Sequence, residues 1–232
     1  MIIKKTLFWF SKPVVSTYTG TMLQMEVRKH AQIPEGAKII AANHPSTTDP
    51  FFVAAMLRKQ CFILIKDVLF QVPVFGEYLR RLGHIPVRAG KGQEAIDAAL
   101  AYLRAGQTIM IFPEGDLSPW NGGFHQAKTG VARIALASGA PVIPVGIHLV
   151  RERILPLRST VRGQVEDSRW YLAGPYHMTV GTALRYTGDV EDRPHVRAVS
   201  DNVMHHIIEL ARESENRLNR APGALAGALQ AS

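Results

Sequence analysis

Four runs of nearly uninterrupted apolar residues constrain this chain more than any other feature. They are Lys38-Ile39-Ile40-Ala41-Ala42, Cys61-Phe62-Ile63-Leu64-Ile65, Thr108-Ile109-Met110-Ile111-Phe112 and Pro141 to Ile147. Each is short for a helix and lacks the polar alternation of a strand with one wet face, so each reads as a strand covered on both sides. Helical patterns separate them. One runs from Pro50 to Leu57, with Asp49 as N-cap and Pro50 at N1. A helical stretch is predicted near 67–82, before a short strand at His84-Ile85-Pro86-Val87. Gln93 to Arg104 places Ala95, Ile96, Ala99, Leu100 and Leu103 on one face and stops at Gly106, and Gly130 to Ser138 is a further helix. Buried strands alternating with amphipathic helices predict an α/β fold, a largely parallel central sheet with helices on both faces.

The flanks read differently. Residues 1–33 mix aromatics with lysines and are interrupted by Gly20, so they read as an N-terminal amphipathic segment ahead of a domain at 34–220. Residues 151–170 carry Arg151, Arg153, Arg158, Arg162 and Arg169 with little periodicity and read as an exposed basic loop. A strand near Met178 to Arg185 and a long helix from about Pro194 to Arg220 follow, and 221–232 is a low-complexity, flexible tail.

With 232 residues, 47% of them hydrophobic, the chain is long enough for one domain with a substantial core and too apolar to be disordered. The net charge of +8 favours an anionic partner: nucleic acid, anionic lipid or a phosphorylated substrate. The single cysteine, Cys61, sits in a buried strand and has no partner for an internal disulfide, which fits a reducing compartment. No run approaches the ~20 apolar residues of a membrane span. The apolar centre Leu7-Phe8-Trp9-Phe10 stops at Ser11-Lys12-Pro13, short of the ~7–15 residues of an export signal.

Three polar clusters follow strand ends, where open α/β sheets bind ligands. In Asn43-His44-Pro45-Ser46-Thr47-Thr48-Asp49 a tight turn can fold the carboxylate back onto the imidazole. A carboxylate in that position fixes the tautomer and leaves the other ring nitrogen free to take a proton from a hydroxyl. A plain helix cap at Asp49 accounts for the same residues equally well. Phe112-Pro113-Glu114-Gly115-Asp116 is the second cluster, and a solvent-facing turn is its bland reading. In the third, Val87-Arg88-Ala89-Gly90-Lys91-Gly92, two cations and a glycine-rich loop open a helix, a setting that favours phosphate. Its loose match to a dinucleotide fingerprint lacks the ribose-binding acid. There is no Walker A sequence, nucleophile elbow or Cys-x-x-Cys pair, and His205-His206 reads as ordinary helix surface.

Together these clusters resemble the glycerolipid acyltransferase family, whose best-known members acylate lysophosphatidic acid. The resemblance covers roughly 35–150, with four blocks in the family's order. Asn43 to Asp49 matches its Asn-His-x4-Asp block. Lys66 to Gly76, leading to Gly83-His84-Ile85-Pro86-Val87-Arg88, is similar to the second, Phe112-Pro113-Glu114-Gly115 to the third, and Pro141-Val142-Ile143-Pro144-Val145 to the fourth. The resemblance implies an O-acyltransferase with His44 as general base and Asp49 as its partner. It implies that Arg88, Glu114 and Gly115 lie on the acceptor side, that acyl-CoA or acyl-carrier-protein is the donor, and that neither metal nor cofactor is used.

The family usually continues Glu-Gly with Thr-Arg-Ser, whereas this chain has Asp116-Leu117-Ser118. Either Arg88, Lys91 and Lys128 supply the missing positive charge to 1-acyl-glycerol-3-phosphate, or the acceptor is another hydroxylated or zwitterionic lysolipid. A third reading is an inactive lipid-binding relative. A bilayer-resident acceptor places the protein peripherally on the cytoplasmic face, with Leu7, Phe8, Trp9 and Phe10 at the interface. The alternative is that those aromatics cap the core. No nucleic-acid partner is expected, because the basic residues are not interleaved with stacking aromatics. Chain length of the acyl group, the choice between the two donors and the oligomeric state leave no mark that can be read in the sequence.

Overall fold

The computed structural model describes residues 17–161 and 163–220, so the interfacial reading of 1–16 and the flexible tail at 221–232 lie outside the described residues. The described residues form nine strands: β1 (Glu26–Lys29), β2 (Lys38–Ala42), β3 (Cys61–Lys66), β4 (Ile85–Val87), β5 (Thr108–Ile111), β6 (Val142–Leu149), β7 (Ile154–Val161), β8 (Gln164–Tyr171) and β9 (Tyr176–Val180). Helices α1 (Asp49–Ala55), α2 (Phe75–Leu82), α3 (Gly92–Arg104), α4 (Gly130–Ser138) and α5 (Arg193–Arg220) pack against them. Seven strands form one sheet in the order β1-β9-β6-β2-β5-β3-β4. The five from β6 to β4 are mutually parallel, β9 runs antiparallel to β6, and β1 is parallel to β9.

The alternation of β2 shows how the two faces are covered. Ile40 and Ala42 pack with Phe52, Val53 and Tyr176 on one face, under α1. Ile39 and Ala41 pack on the other with Ala99, Ile134 and Ile207, under α3, α4 and α5. Every residue of β2 is buried, including Lys38, whose ammonium donates to Gly36 O at 2.6 Å and to Thr108 Oγ1 at 3.2 Å. The long α5 lies directly on β6. A Cβ on Gly146 would sit 2.0 Å from Ala211 N, so only hydrogen fits there. Ser214 Oγ completes the contact, 3.0 Å from Gly146 O and 2.8 Å from Thr179 Oγ1.

Four readings of the sequence need correction. The domain starts before residue 34: β1 pairs with β9, and Leu23 is buried in the core, because 23–29 supplies the outer strand that the sheet would otherwise lack. Residues 67–82 are not one helix. A 3₁₀ turn, Asp67–Gln71, gives way at Pro73-Val74 to α2, and Val74 takes a φ of 63°, unusual for a β-branched residue. The basic stretch 151–170 is a hairpin, β7 against β8, turning beside Gly163 at φ 81°. Its arginines had masked the strand alternation of Leu155, Leu157 and Val161. Finally, the last strand ends at Val180, and Leu184 contributes only an isolated bridge to Val142.

Candidate active site

At the carboxyl end of β2 the chain leaves the sheet at Asn43, whose buried side chain clamps β6. Its Nδ2 donates to Ile147 O at 2.9 Å, and its Oδ1 accepts from Ile147 N at 2.7 Å. His44 comes next, with its ring stacked on Phe112 (centroids 4.0 Å apart) and its Nδ1 3.0 Å from Asp49 Oδ2. Asp49 is not the helix cap. Thr48 holds that position, and the Asp49 carboxylate turns fully inward. There Oδ2 also accepts from Ser46 N at 2.7 Å, and Oδ1 accepts from the Tyr176 hydroxyl at 2.8 Å. Burial, with the neighbouring Asp49 charge, pushes the Tyr176 hydroxyl well above its usual range, which keeps it a donor.

Three donors to one buried carboxylate make this a fixed acceptor for the imidazole Nδ1–H, leaving Nε2 as the free ring nitrogen. The loop is pinned at both sides. Thr47 N donates to Arg169 O at 2.8 Å, Arg169 N donates to Thr47 Oγ1 at 2.9 Å, and Ser118 N donates to His44 O at 2.8 Å. The base of the β7–β8 hairpin therefore carries part of the load of holding His44 in place.

Glu114 has a different place from the acceptor contact expected of it. It is 2% exposed, and its carboxylate accepts from His44 N (3.1 Å), Ser118 Oγ (2.6 Å) and His125 N (2.8 Å). Facing inward, it ties the loop after β5 to the loop after β2 and positions His44. Gly115, at φ 70°, brings the chain under Lys128, and a Cβ there would lie 2.5–2.6 Å from the Lys128 side chain.

His44 opens onto a cavity of about 930 Å³, near the top of the ~300–1,000 Å³ span of ligand pockets. Its walls are mostly apolar: Phe51 and Ala54 from α1, Leu79 from α2, Ile96 from α3, and Leu157 with Trp170 from the hairpin. Such a space can take a hydrocarbon chain with its reactive end at the imidazole.

The cations expected on the acceptor side divide into two groups. Arg88 pairs with Asp67 (3.4 Å) and Glu94 (3.2 Å), Lys91 pairs with Glu94 (3.5 Å), and neither lines the cavity. Lys128 does line it, together with Arg133, which the sequence had not singled out. Among the described residues, neither of those two side chains has an ion-pair partner within 4.0 Å. Lys66, also on the wall, donates to both oxygens of Asp116 at 3.0 Å. Burial works against the Asp116 charge, but the hydrogen bonds from Lys66 and Leu117 N–H and the charges of Lys66 and Lys128 outweigh it, holding the carboxyl below its usual range. The carboxylate that replaces the family's threonine is thus already neutralised. Tyr176 and Asn43 find their partners far away in sequence, and Arg133 is one helix arginine among several, so none was singled out as a site residue. Only Asn43, first in its block, carried a local signal.

Among the described residues no helix is long and apolar enough to cross a membrane. The chain is 29% identical over 127 residues to the 1-acyl-sn-glycerol-3-phosphate acyltransferase of Pseudomonas aeruginosa, covering 53% of this chain and 49% of that one. It is 30% identical over 137 residues to the enzyme of the same name from Salmonella typhimurium, covering 57% and 56%. The chain thus spans about half the length of these curated relatives. The crystal structure of the 1-acyl-sn-glycerophosphate (LPA) acyltransferase PlsC from Thermotoga maritima superposes with a TM-score of 0.62 at 20% identity, over 90% of this chain and 80% of that one, so the two share a fold. The family model described as Acyltransferase matches residues 24–148, more than half of the chain and the stretch that carries His44, Asp49, Glu114 and Lys128; the protein belongs to the Acyltransferase family.

Proposed function

We propose that the protein transfers a fatty acyl group from a thioester, acyl-CoA or acyl-carrier-protein, to the free hydroxyl of a lysophospholipid, most simply 1-acyl-glycerol-3-phosphate. The observation that carries this reading is the His44–Asp49 pair at the mouth of an apolar cavity: a base of fixed tautomer beside space for a lipid chain. His44 Nε2 takes the proton of the acceptor hydroxyl as its oxygen attacks the thioester carbonyl. The C–S bond then breaks, and the departing sulfur takes the proton from the imidazolium. Asp49 stabilises that imidazolium without accepting the proton. No acyl-enzyme is required.

Lys128 and Arg133 support a phosphate-bearing acceptor, since they are the wall cations without an ion pair among the described residues. The Asp116–Lys66 pair supports a second reading, an acceptor whose headgroup also carries an ammonium that Asp116 could receive. Thiol release from acyl-CoA and acyl-carrier-protein, with lipid products identified by mass, tests both. His44-dependent acylation of lysophosphatidic acid is the expected result. Transfer only to zwitterionic lysolipids would favour the second reading, and thiol release without any lipid product would overturn the proposal.

A further inference from the structure

The β7–β8 hairpin has a structural peculiarity that acyl transfer alone does not explain. It is a separate two-stranded sheet, attached at its base and standing clear of the main sheet. The base is held at Thr47 and Thr48 by the strand end 169–171, and at Ser118 O by the Arg169 guanidinium, which also lies 5.0 Å over the Trp120 ring. The arm bears Leu155 and Leu157 on one face and Val165, opposite Thr160 near the turn, on the other, each more than half exposed. Monomeric proteins seldom leave such side chains in water on a two-stranded arm without something to cover them.

Three observations identify the covering surface. First, one face of the arm is continuous with the cavity: Leu157, Ser159, Val161, Ser168 and Trp170 line the chamber into which His44 opens, and Leu155 lies on the same face as Leu157. Second, residues 151–172 carry five arginines against three acids, in a chain of net charge +8. Third, the far end of β8 is tied to the first described residues. The Tyr18 hydroxyl donates to Leu172 O, Gly174 N donates to Met22 O at 3.0 Å, and Met22 and Leu172 are themselves about half exposed. Met22 and Leu172 thus extend the exposed apolar side chains of the arm to its base.

We infer that the hairpin arm enters the surface of an anionic bilayer edge-on, with Leu155 and Leu157 of one face and Val165 of the other at the interface and the net positive charge of 151–172 toward the headgroups, and that its cavity-side face is the track along which a lipid chain passes between bilayer and active site. This rests on the acyltransferase reading for its purpose but not for its test. Apolar side chains flanked by arginine on an exposed arm suit an interfacial position, which needs no spanning segment.

The test uses the full chain with Val165→Cys carrying an environment-sensitive fluorophore. Labelling is selective because Cys61 is buried and its thiol is pushed up to about 12 by that burial. Lys59→Cys, just before the amino end of β3 and so at the end of the parallel strands away from His44, is the control. Vesicles of phosphatidylglycerol and phosphatidylcholine should shift the Val165 label to the blue and raise its emission several-fold, leave the Lys59 label unchanged, and expose the Val165 label to quenching by shallow lipid-bound spin labels. Val165→Asp should slow acylation of vesicle-borne acceptor at least tenfold while sparing a short-chain, water-soluble acceptor. A Val165 label that does not respond, whether or not the protein floats with vesicles, would overturn the inference, as would equal responses at both positions. Insertion without any lipid product would leave the inference standing and remove the acyltransferase reading.

Discussion

The Tyr176 hydroxyl lies 2.8 Å from Asp49 Oδ1, across 127 residues of sequence, and joins an antiparallel strand of the sheet to the buried carboxylate that fixes His44. Tyr176→Phe therefore removes one of three donors from a charge that has no access to water. A hydrogen bond to a charged group contributes ~1.5–3 kcal/mol. Chemical denaturation should show a loss of about that size, and turnover should fall less than it does when His44 itself is changed.

His44→Ala should lower kcat by ~10²–10⁴-fold, the usual worth of a general base, with a thermal midpoint close to wild type. Asp49→Asn should cost activity on the same scale. Combining the two should cost little more than either alone, because base and orienting carboxylate act as one unit. Steady-state rates of the two single variants and the double variant measure this directly, and full activity in folded His44→Ala protein would refute the assignment.

Acceptor preference should follow the charges of the cavity wall. Lys128→Ala or Arg133→Ala should raise KM for a phosphate-bearing lysolipid by about 10- to 100-fold, the equivalent of one charge-assisted contact. Asp116→Asn should free Lys66 and lower that KM. Arg88→Ala and Lys91→Ala, whose partners are Asp67 and Glu94, should do neither. Competition between lysophosphatidic acid and a zwitterionic lysolipid gives the ratios.

Stability should depend on pH through two histidines that face each other across β6 and β9, His148 and His177. Burial lowers both from the ordinary value of 6.5, with the Glu215 charge opposing it at His148 and Glu26 opposing it at His177. A lowered folded pKa means that the unfolded chain takes up the proton first, so stability is full above about pH 6.5 and falls as pH drops below it. Urea midpoints between pH 7.5 and 5.5 should decline, and His148→Asn/His177→Asn should flatten the decline.

The core strands and their largely parallel arrangement were legible from the apolar runs and the helices between them, because a strand buried on both faces leaves few polar residues to confuse the pattern. His44 and Asp49 were legible for a related reason, since both lie within one turn after such a strand. What escaped was whatever depends on tertiary choice. Glu114 has the sequence of an exposed turn, yet three donors from His44, Ser118 and His125 draw it inside. The hairpin escaped because a two-stranded arm with polar side chains on both faces, Ser159 and Glu166 on one and Arg158 and Asp167 on the other, has no buried side to set a period.

Gly146→Ala should be the most damaging single methyl in the sheet. The added Cβ meets backbone of α5 at 2.0–2.1 Å, and backbone cannot swing aside as a side chain can. The cost should exceed the ~1–3 kcal/mol typical of overpacking and show as a large drop in thermal midpoint. Gly115→Ala meets the movable Lys128 instead and, despite the positive φ, should alter acceptor affinity more than it alters folding.

The paired bonds between the Asn43 side chain and Ile147 have a dynamic consequence. They add one rung to the β2–β6 ladder after the main chain of β2 has turned away, so the residue before His44 cannot shift without prying two central strands apart. The imidazole therefore keeps time with the stiffest part of the molecule. The segment that carries it is irregular in shape but rigid in behaviour, and the excursions that admit and release long substrates fall to the other walls of the chamber.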